Sequence, residues 1–300
     1  MNIIRSRIKG GNIYEELKFW RQVRKDFPQI PWLKDIVKCT KRKYLLGGSH
    51  VSESDFYRRG GIIFKDNIQV TVPKEKDIRP LKAEFLDIIL PLYCDEPYNY
   101  QKVEKYLDEG PYELKEEVSV KKGDIVFDCG ANMGLFSATV AERAEMVYAF
   151  EPSSIIISDY LENMKDIYSN ISIQPFALSD TKGETVFSYN VNNIGASGIG
   201  KNDHDDCIKE RVSLISIDQF VEEKGIKRVD FIKADIEGAE RQMLAGARHT
   251  LKKCAPKLAI CTYHLPDDKE VLERLVLEAN PDYVIEHKYK KLYAYVPGKK

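Results

Sequence analysis

The sequence has almost no net charge, no long apolar run and no paired-cysteine motif, and each absence removes a class of function. Its 46 lysines and arginines stand against 47 aspartates and glutamates, a formal net charge of -1. A chain so balanced carries no basic field for a phosphate backbone or an anionic bilayer, so neither a nucleic-acid nor a membrane partner is expected. No stretch approaches the roughly 20 consecutive apolar residues that span a bilayer. The N-terminal Met1-Asn2-Ile3-Ile4-Arg5-Ser6-Arg7 is not followed by the apolar core of a secretion signal, so the expected location is cytoplasmic. The 6 cysteines, at 39, 94, 129, 207, 254 and 261, never form C-x-x-C and have apolar neighbours. Reduced, partly buried thiols fit that pattern, and neither zinc nor a disulfide framework is implied.

What is present is a core-forming chain: 43% of its 300 residues are hydrophobic, enough for one large domain with an appendage. Residues 12–45 carry two amphipathic repeats, Ile13, Leu17, Phe19, Trp20 and Val23, then Trp32, Leu33, Ile36 and Val37, separated by Pro28 and Pro31. A helical hairpin or cap is expected there. Gly60 to Val72 alternates on both sides of Lys65-Asp66-Asn67, a hairpin signature. A helical stretch from Arg79 to Leu90 leads to Pro91 and completes the first part, and a helix over 98–107, stopped at Gly110-Pro111, delivers the chain to the core sheet. These elements predict a small α+β accessory region over 1–96 and a main domain over 97–300.

From residue 124 strands and helices alternate, the pattern of a doubly wound α/β domain. Strands are expected at 125–128, 146–150, 171–177, 229–234 and 257–263, with a helix over 155–168. Ser216 and Gln219 form a capping box at a short helix. Segments 184–189 and 210–215 read as a hairpin around a loop over 190–206, long enough to be functional. A final hairpin joins 283–287 to 292–296.

The most informative stretch runs from Val126 to Ser137: a buried strand, the motif D-x-G-x-N-x-G at Asp128, Gly130, Asn132 and Gly134, then a helix. Glycines let the backbone approach a ligand closely, and the helix start offers unpaired N–H groups. Glu151 closes the next apolar run about 20 residues beyond Gly130, where a doubly wound fold places the carboxylate that holds a ribose. Asn132 departs from the G-x-G-x-x-G dinucleotide fingerprint, so the ligand implied is an adenosine without a pyrophosphate.

This arrangement resembles the class I S-adenosylmethionine-dependent methyltransferases. Four blocks in order, Gly123 to Gly134, Ala149 to Pro152, Ala177 to Asp180 and Phe231 to Glu240, resemble the FkbM family of O-methyltransferases. The resemblance covers roughly residues 100–300 and implies a seven-stranded, mostly parallel sheet of order 3-2-1-4-5-7-6 with an antiparallel last strand. It implies S-adenosyl-L-methionine as cofactor, held by Gly130, Asn132, Gly134 and Glu151, and transfer to a hydroxyl of a saccharide or other small polar metabolite. Asp128 either lies near the cationic end of the cofactor or fixes the glycine turn. Phe176 and Ala177, closing the third strand, are placed to flank the adenine.

Lys233, Asp235 and Glu237 form a second cluster, with Lys233 and Asp235 on one face of a strand. A structural ion pair between Lys233 and a carboxylate is one reading. In the functional one, Asp235 contacts the methionine amino group and Glu237 orients or deprotonates the acceptor. His264 follows the neighbouring strand and, unperturbed, titrates near neutral pH, which suits a general base. Asp235 and Glu237 lack a third oxygen ligand by spacing, so metal-free chemistry is expected. Tyr93, Tyr98, Tyr100 and Tyr112 are either sugar-site or interface aromatics. The accessory region, the 190–206 loop and His204 within it are expected to frame the acceptor. Two rival readings, a nicotinamide-dependent oxidoreductase and a non-catalytic protein of the same fold, are opposed by Asn132 and by the joint presence of Asp128, Glu151, Asp235 and Glu237.

Overall fold

The computed structural model describes residues 13–45, 62–63, 68–70, 84–94, 96–190, 197–200 and 207–299. The chain divides into two compact units, Met1–Asp108 and Glu109–Lys300, where the sequence reading divides it at 96/97. In the first unit, helices Ile13–Asp26 and Trp32–Leu45 form on the two amphipathic repeats. Leu17, Trp20, Val23, Leu33 and Ile36 are buried along them. Ile62–Ile63 pairs antiparallel with Gln69–Val70, while the Lys65-Asp66-Asn67 turn lies outside the described residues. So do residues 79–83; beyond them a π-helical turn, Phe85–Ile89, passes into a 3-10 turn, Leu90–Tyr93.

The helix expected over 98–107 is reduced to one 3-10 turn, Glu104–Tyr106. Tyr98 sits at φ 64, in the left-handed region, and Asn99 Oδ1 accepts from Gln101 N at 3.5 Å. An asparagine that bonds the nearby backbone competes with helix formation, which apolar periodicity does not register.

The second unit is built on β1 (Ile125–Cys129), β2 (Met146–Phe150), β3 (Ile171–Gln174), β4 (Phe231–Ala234), β5 (Lys257–Cys261), β6 (Val284–Lys288) and β7 (Lys291–Tyr295). Their order across the seven-stranded sheet is β3-β2-β1-β4-β5-β7-β6. Strands β1 to β5 pair in parallel, and β7 runs antiparallel to both its neighbours. This is the order that the resemblance implies. Strand direction of growth reverses between β1 and β4, which opens a crevice beyond their carboxyl ends. Every residue of β1 is buried, as expected for a parallel strand covered on both faces.

Strand three ends earlier than expected. Pro175 has no N–H to give to a ladder, so β3 stops at Gln174 and the chain enters a second sheet as Phe176–Leu178. There it lies parallel to Cys207–Ile215, which pairs antiparallel with Gly183–Asn190, as the hairpin reading requires. Most of the 190–206 loop, His204 included, lies outside the described residues. The segment expected as one helix over 155–168 is helical from Ser154 to Asp166 but changes from α to π to 3-10 along its length.

The capping box at Ser216 and Gln219 starts the helix Ile217–Glu223 and delivers Phe220 into the core. Its ring meets Phe150 edge-on at 4.8 Å and Phe127 at 5.7 Å. No helix among the described residues is long and apolar enough to cross a membrane. Phe220→Ala is expected to cost about 3–5 kcal/mol of unfolding free energy in urea titration, the scale for emptying a packed aromatic site. A loss below about 1 kcal/mol would show that these rings do not form the packed centre.

Candidate active site

The glycine turn after β1 is held from below by a buried ion pair. Asp128 and Lys233 are opposite one another in the β1–β4 register. Lys233 Nζ lies 3.0 Å from Asp128 Oδ1, and Ser137 Oγ donates to Asp128 Oδ2 at 2.6 Å. The ammonium also donates to Gly130 O at 2.6 Å. Burial pulls the Lys233 pKa down, but the charges of Asp128 and Asp235 outweigh it and hold the ammonium above its ordinary value. Asp128 thus reaches the glycine turn through Lys233, which bonds the Gly130 carbonyl.

Both glycines are required by their neighbours. Gly130 has φ +78, and a Cβ there would meet the Asp235 carbonyl oxygen at 2.0 Å; Gly134 has φ +76, and a Cβ would meet Met164 Sδ at 2.2 Å. Asn132, at φ 49, lies between them and turns its backbone N–H to Glu151 Oε2 at 3.1 Å. Ser153 N donates to the other oxygen, Oε1, at 3.0 Å. Glu151 is 4% exposed, and burial pushes its pKa up to about 7 against the pull of those two backbone donors and Lys233. Glu210, from the second sheet, fixes the same corner: it accepts from Ser153 Oγ at 2.5 Å and from Ser154 N at 3.0 Å.

Beyond β4 and β5 the second cluster assembles. Asp235 Oδ2 accepts from Tyr112 Oη at 2.8 Å and its Oδ1 from Tyr263 Oη at 3.3 Å. His264 Nε2 is 3.4 Å from Asp235 Oδ1 and 3.7 Å from Glu237 Oε2, and its Nδ1 is 3.0 Å from Glu240 Oε1. Burial opposes charge on the ring, yet Glu240, Asp235 and Glu237 raise the His264 pKa to about 9. The near-neutral value assumed from sequence therefore does not apply: the ligand-free imidazole carries its proton at pH 7. Burial would raise the Asp235 pKa, but His264, Lys233, Lys291 and the Tyr112 hydroxyl hold it below the usual carboxylate range.

The structure thus brings Asp128, Gly130, Asn132, Gly134 and Glu151 to one strand-end corner and Asp235, Glu237 and His264 to the adjacent one. Phe176 and Ala177 lie instead on the second sheet; Phe176 packs against the hydrophobic core and Ala177 is buried opposite Leu214. Three positioning residues escaped sequence reasoning. Glu240, fully buried, accepts from Ile236 N and Gly238 N at 2.9 and 3.0 Å and so shapes the turn bearing Glu237, itself at φ 57. An acid in the first turn of a helix was the available signal. Lys291 Nζ donates to the carbonyls of Glu109 and Gly110 at 2.8 and 2.7 Å, and Tyr293 Oη to that of Pro111 at 2.5 Å. These clamps seat Tyr112 on Asp235, and nothing local in the sequence marks them.

Lys233→Met is expected to cost about 3–5 kcal/mol in chemical denaturation, because it strands a buried carboxylate, and Asp128→Asn added to it should restore part of that loss. Strictly additive losses would contradict the pairing.

The family model described as the Methyltransferase FkbM domain matches residues 128–290, more than half of the chain. The chain is 25% identical over 159 residues to the hexuronic acid methyltransferase AglP of Haloferax volcanii, covering 53% of this chain and 64% of that protein. It is 25% identical over 163 residues to the 31-O-demethyl-FK506 methyltransferase FkbM of Streptomyces tacrolimicus, covering 44% of this chain and 63% of that one. The chain therefore spans less than two thirds of the length of these relatives. Among solved structures it is similar to a methyltransferase FkbM from Methylobacillus flagellatus KT, at 24% identity and TM-score 0.44, covering 58% of this chain and 43% of that one. With the site at the strand ends and the family model spanning both halves of it, the chain belongs to the Methyltransferase FkbM domain family.

Proposed function

We propose that the protein is an S-adenosylmethionine-dependent O-methyltransferase acting on a hydroxyl of a saccharide or other small polar metabolite. The observation that carries this reading is Glu151: a buried carboxylate at the end of β2, beside the Gly130 turn, with its two oxygens already oriented by backbone donors. A carboxylate so placed suits the vicinal hydroxyls of a ribose. Support for the acceptor class comes from the two relatives, one named for a hexuronic acid and the other for a 31-O position.

S-adenosylmethionine, when bound, supplies a methyl group already activated on a sulfonium, so the protein's work is largely positioning. Gly130, Asn132 and Gly134 carry the backbone past the ligand, and Glu151 holds it by the ribose. Phe176 and Ala177 stand just after Gln174, whose carbonyl accepts from Glu151 N at 3.1 Å, and we assign that strand end to the adenine side. Asp235 goes with the acceptor group and not with the methionine end, because its oxygens face Tyr112, Tyr263 and His264. Glu237 is the carboxylate assigned to the acceptor hydroxyl, with His264 holding its orientation.

Two experiments follow. Glu151 carries a proton below about pH 7 in the ligand-free protein, while ribose hydroxyls favour the ionised form, so binding expels a proton at low pH. Calorimetric affinity for S-adenosylhomocysteine should therefore rise as pH climbs toward 7 and level off above it. Glu151→Gln should weaken binding by about 1.5–3 kcal/mol and remove that rise. A pH-independent wild type, or a variant that keeps the rise, would contradict the assignment. Glu237→Gln should leave this affinity unchanged while lowering turnover about 10²- to 10⁴-fold in a screen of sugar acceptors; full turnover would remove Glu237 from the chemistry.

A further inference from the structure

Asp235, Glu237 and His264 each offer a ligand atom, and these atoms all lie within 4.8 Å of one another. His264 Nε2 stands 3.4 Å from one carboxylate oxygen and 3.7 Å from the other. Atoms that share a metal at about 2.1 Å are separated by roughly 3 to 3.5 Å, so little movement would close the set around an ion. The imidazole side chain is 5% exposed, and neither ring nitrogen makes a hydrogen bond of good geometry. A buried ring nitrogen aimed between two carboxylates is placed to meet a positive charge, its own proton in the ligand-free chain or a cation bound in that proton's place.

The surroundings have the form of a metal site's supporting shell. Glu240 Oε1 sits 3.0 Å from His264 Nδ1, which leaves Nε2 as the nitrogen directed at the two carboxylates. A carboxylate behind a histidine, fixing its orientation and raising its basicity, is the usual backing of a ligating imidazole. Glu240 also bonds the backbone of the turn that presents Glu237, and Tyr112 and Tyr263 orient Asp235. The alternative set on the other side of the ring, Glu240, His264 and Asp268, is less suited. Arg241 Nε already places a positive charge 2.8 Å from Asp268 Oδ1.

We propose that Asp235, Glu237 and His264 bind a divalent cation. Two carboxylate oxygens and one imidazole suit manganese or a similar first-row ion better than magnesium, which favours an all-oxygen shell. Three protein ligands leave positions open for an acceptor hydroxyl, whose pKa the ion would lower. That role rests on the methyltransferase function proposed above; the binding of the ion does not.

The test is manganese titration of the purified chain, stripped with chelator, followed by the loss of the free-ion electron paramagnetic resonance signal. Wild type should take up one ion per chain. His264→Ala and Glu237→Gln should each weaken uptake by about 10- to 100-fold or more. Glu237 is less buried than His264, so its variant keeps the test meaningful if the histidine variant fails to fold. No uptake by the wild type, or equal uptake by both variants, overturns the site. S-adenosylhomocysteine binding measured on the same samples separates the two proposals: cofactor binding without manganese uptake defeats the metal site alone, and its absence defeats the methyltransferase function whatever the metal does.

Discussion

The strand-end architecture depends on one buried ion pair. Asp128 and Lys233 are register partners on the two central strands, β1 and β4, and the lysine continues past the carboxylate to the carbonyl of Gly130. A buried pair of this kind is not a large source of stability, since desolvation offsets most of the attraction. What it provides is position. It joins the ends of β1 and β4 at the point where the sheet reverses direction, and it holds the glycine turn against the Asp235 carbonyl, where no side chain would fit.

From that junction two corners open side by side. One is neutral to weakly anionic, with Glu151 poised near the middle of the physiological range. The other is a concentration of charge, three carboxylates around one imidazole. The contrast suits the proposed O-methyl transfer, in which a cationic donor is bound and a neutral hydroxyl is made nucleophilic. Three carboxylates around one ring also leave room for a positive charge, either a proton on His264 or a metal ion.

The fold was legible because its signals are local. The alternation of apolar runs, the capping box at Ser216 and the D-x-G-x-N-x-G turn each lie within a few residues, and the strand order followed from the family resemblance. Failures arose where a single residue overrode periodicity. Pro175 ended a strand that its apolar neighbours would have continued, and Asn99 diverted a helix. In the site, Glu151, Asp235, Glu237 and His264 were visible as strand-end residues. Their partnerships were not, because Tyr112 and Lys291 act across the fold and Glu240 gave only the weak signal of an acid in a first helical turn. Spacing likewise suggested no third metal ligand, since His264 reaches Asp235 only through the pairing of β4 with β5.

The proposed function depends on where the cofactor lies. A crystal structure of the chain soaked with S-adenosylhomocysteine is the most direct measurement. The ribose hydroxyls are predicted to bond the Glu151 carboxylate, with the sulfur turned toward Glu237 and His264. Ligand density elsewhere, or a ribose that leaves Glu151 bound only to the backbone of Asn132 and Ser153, would contradict it.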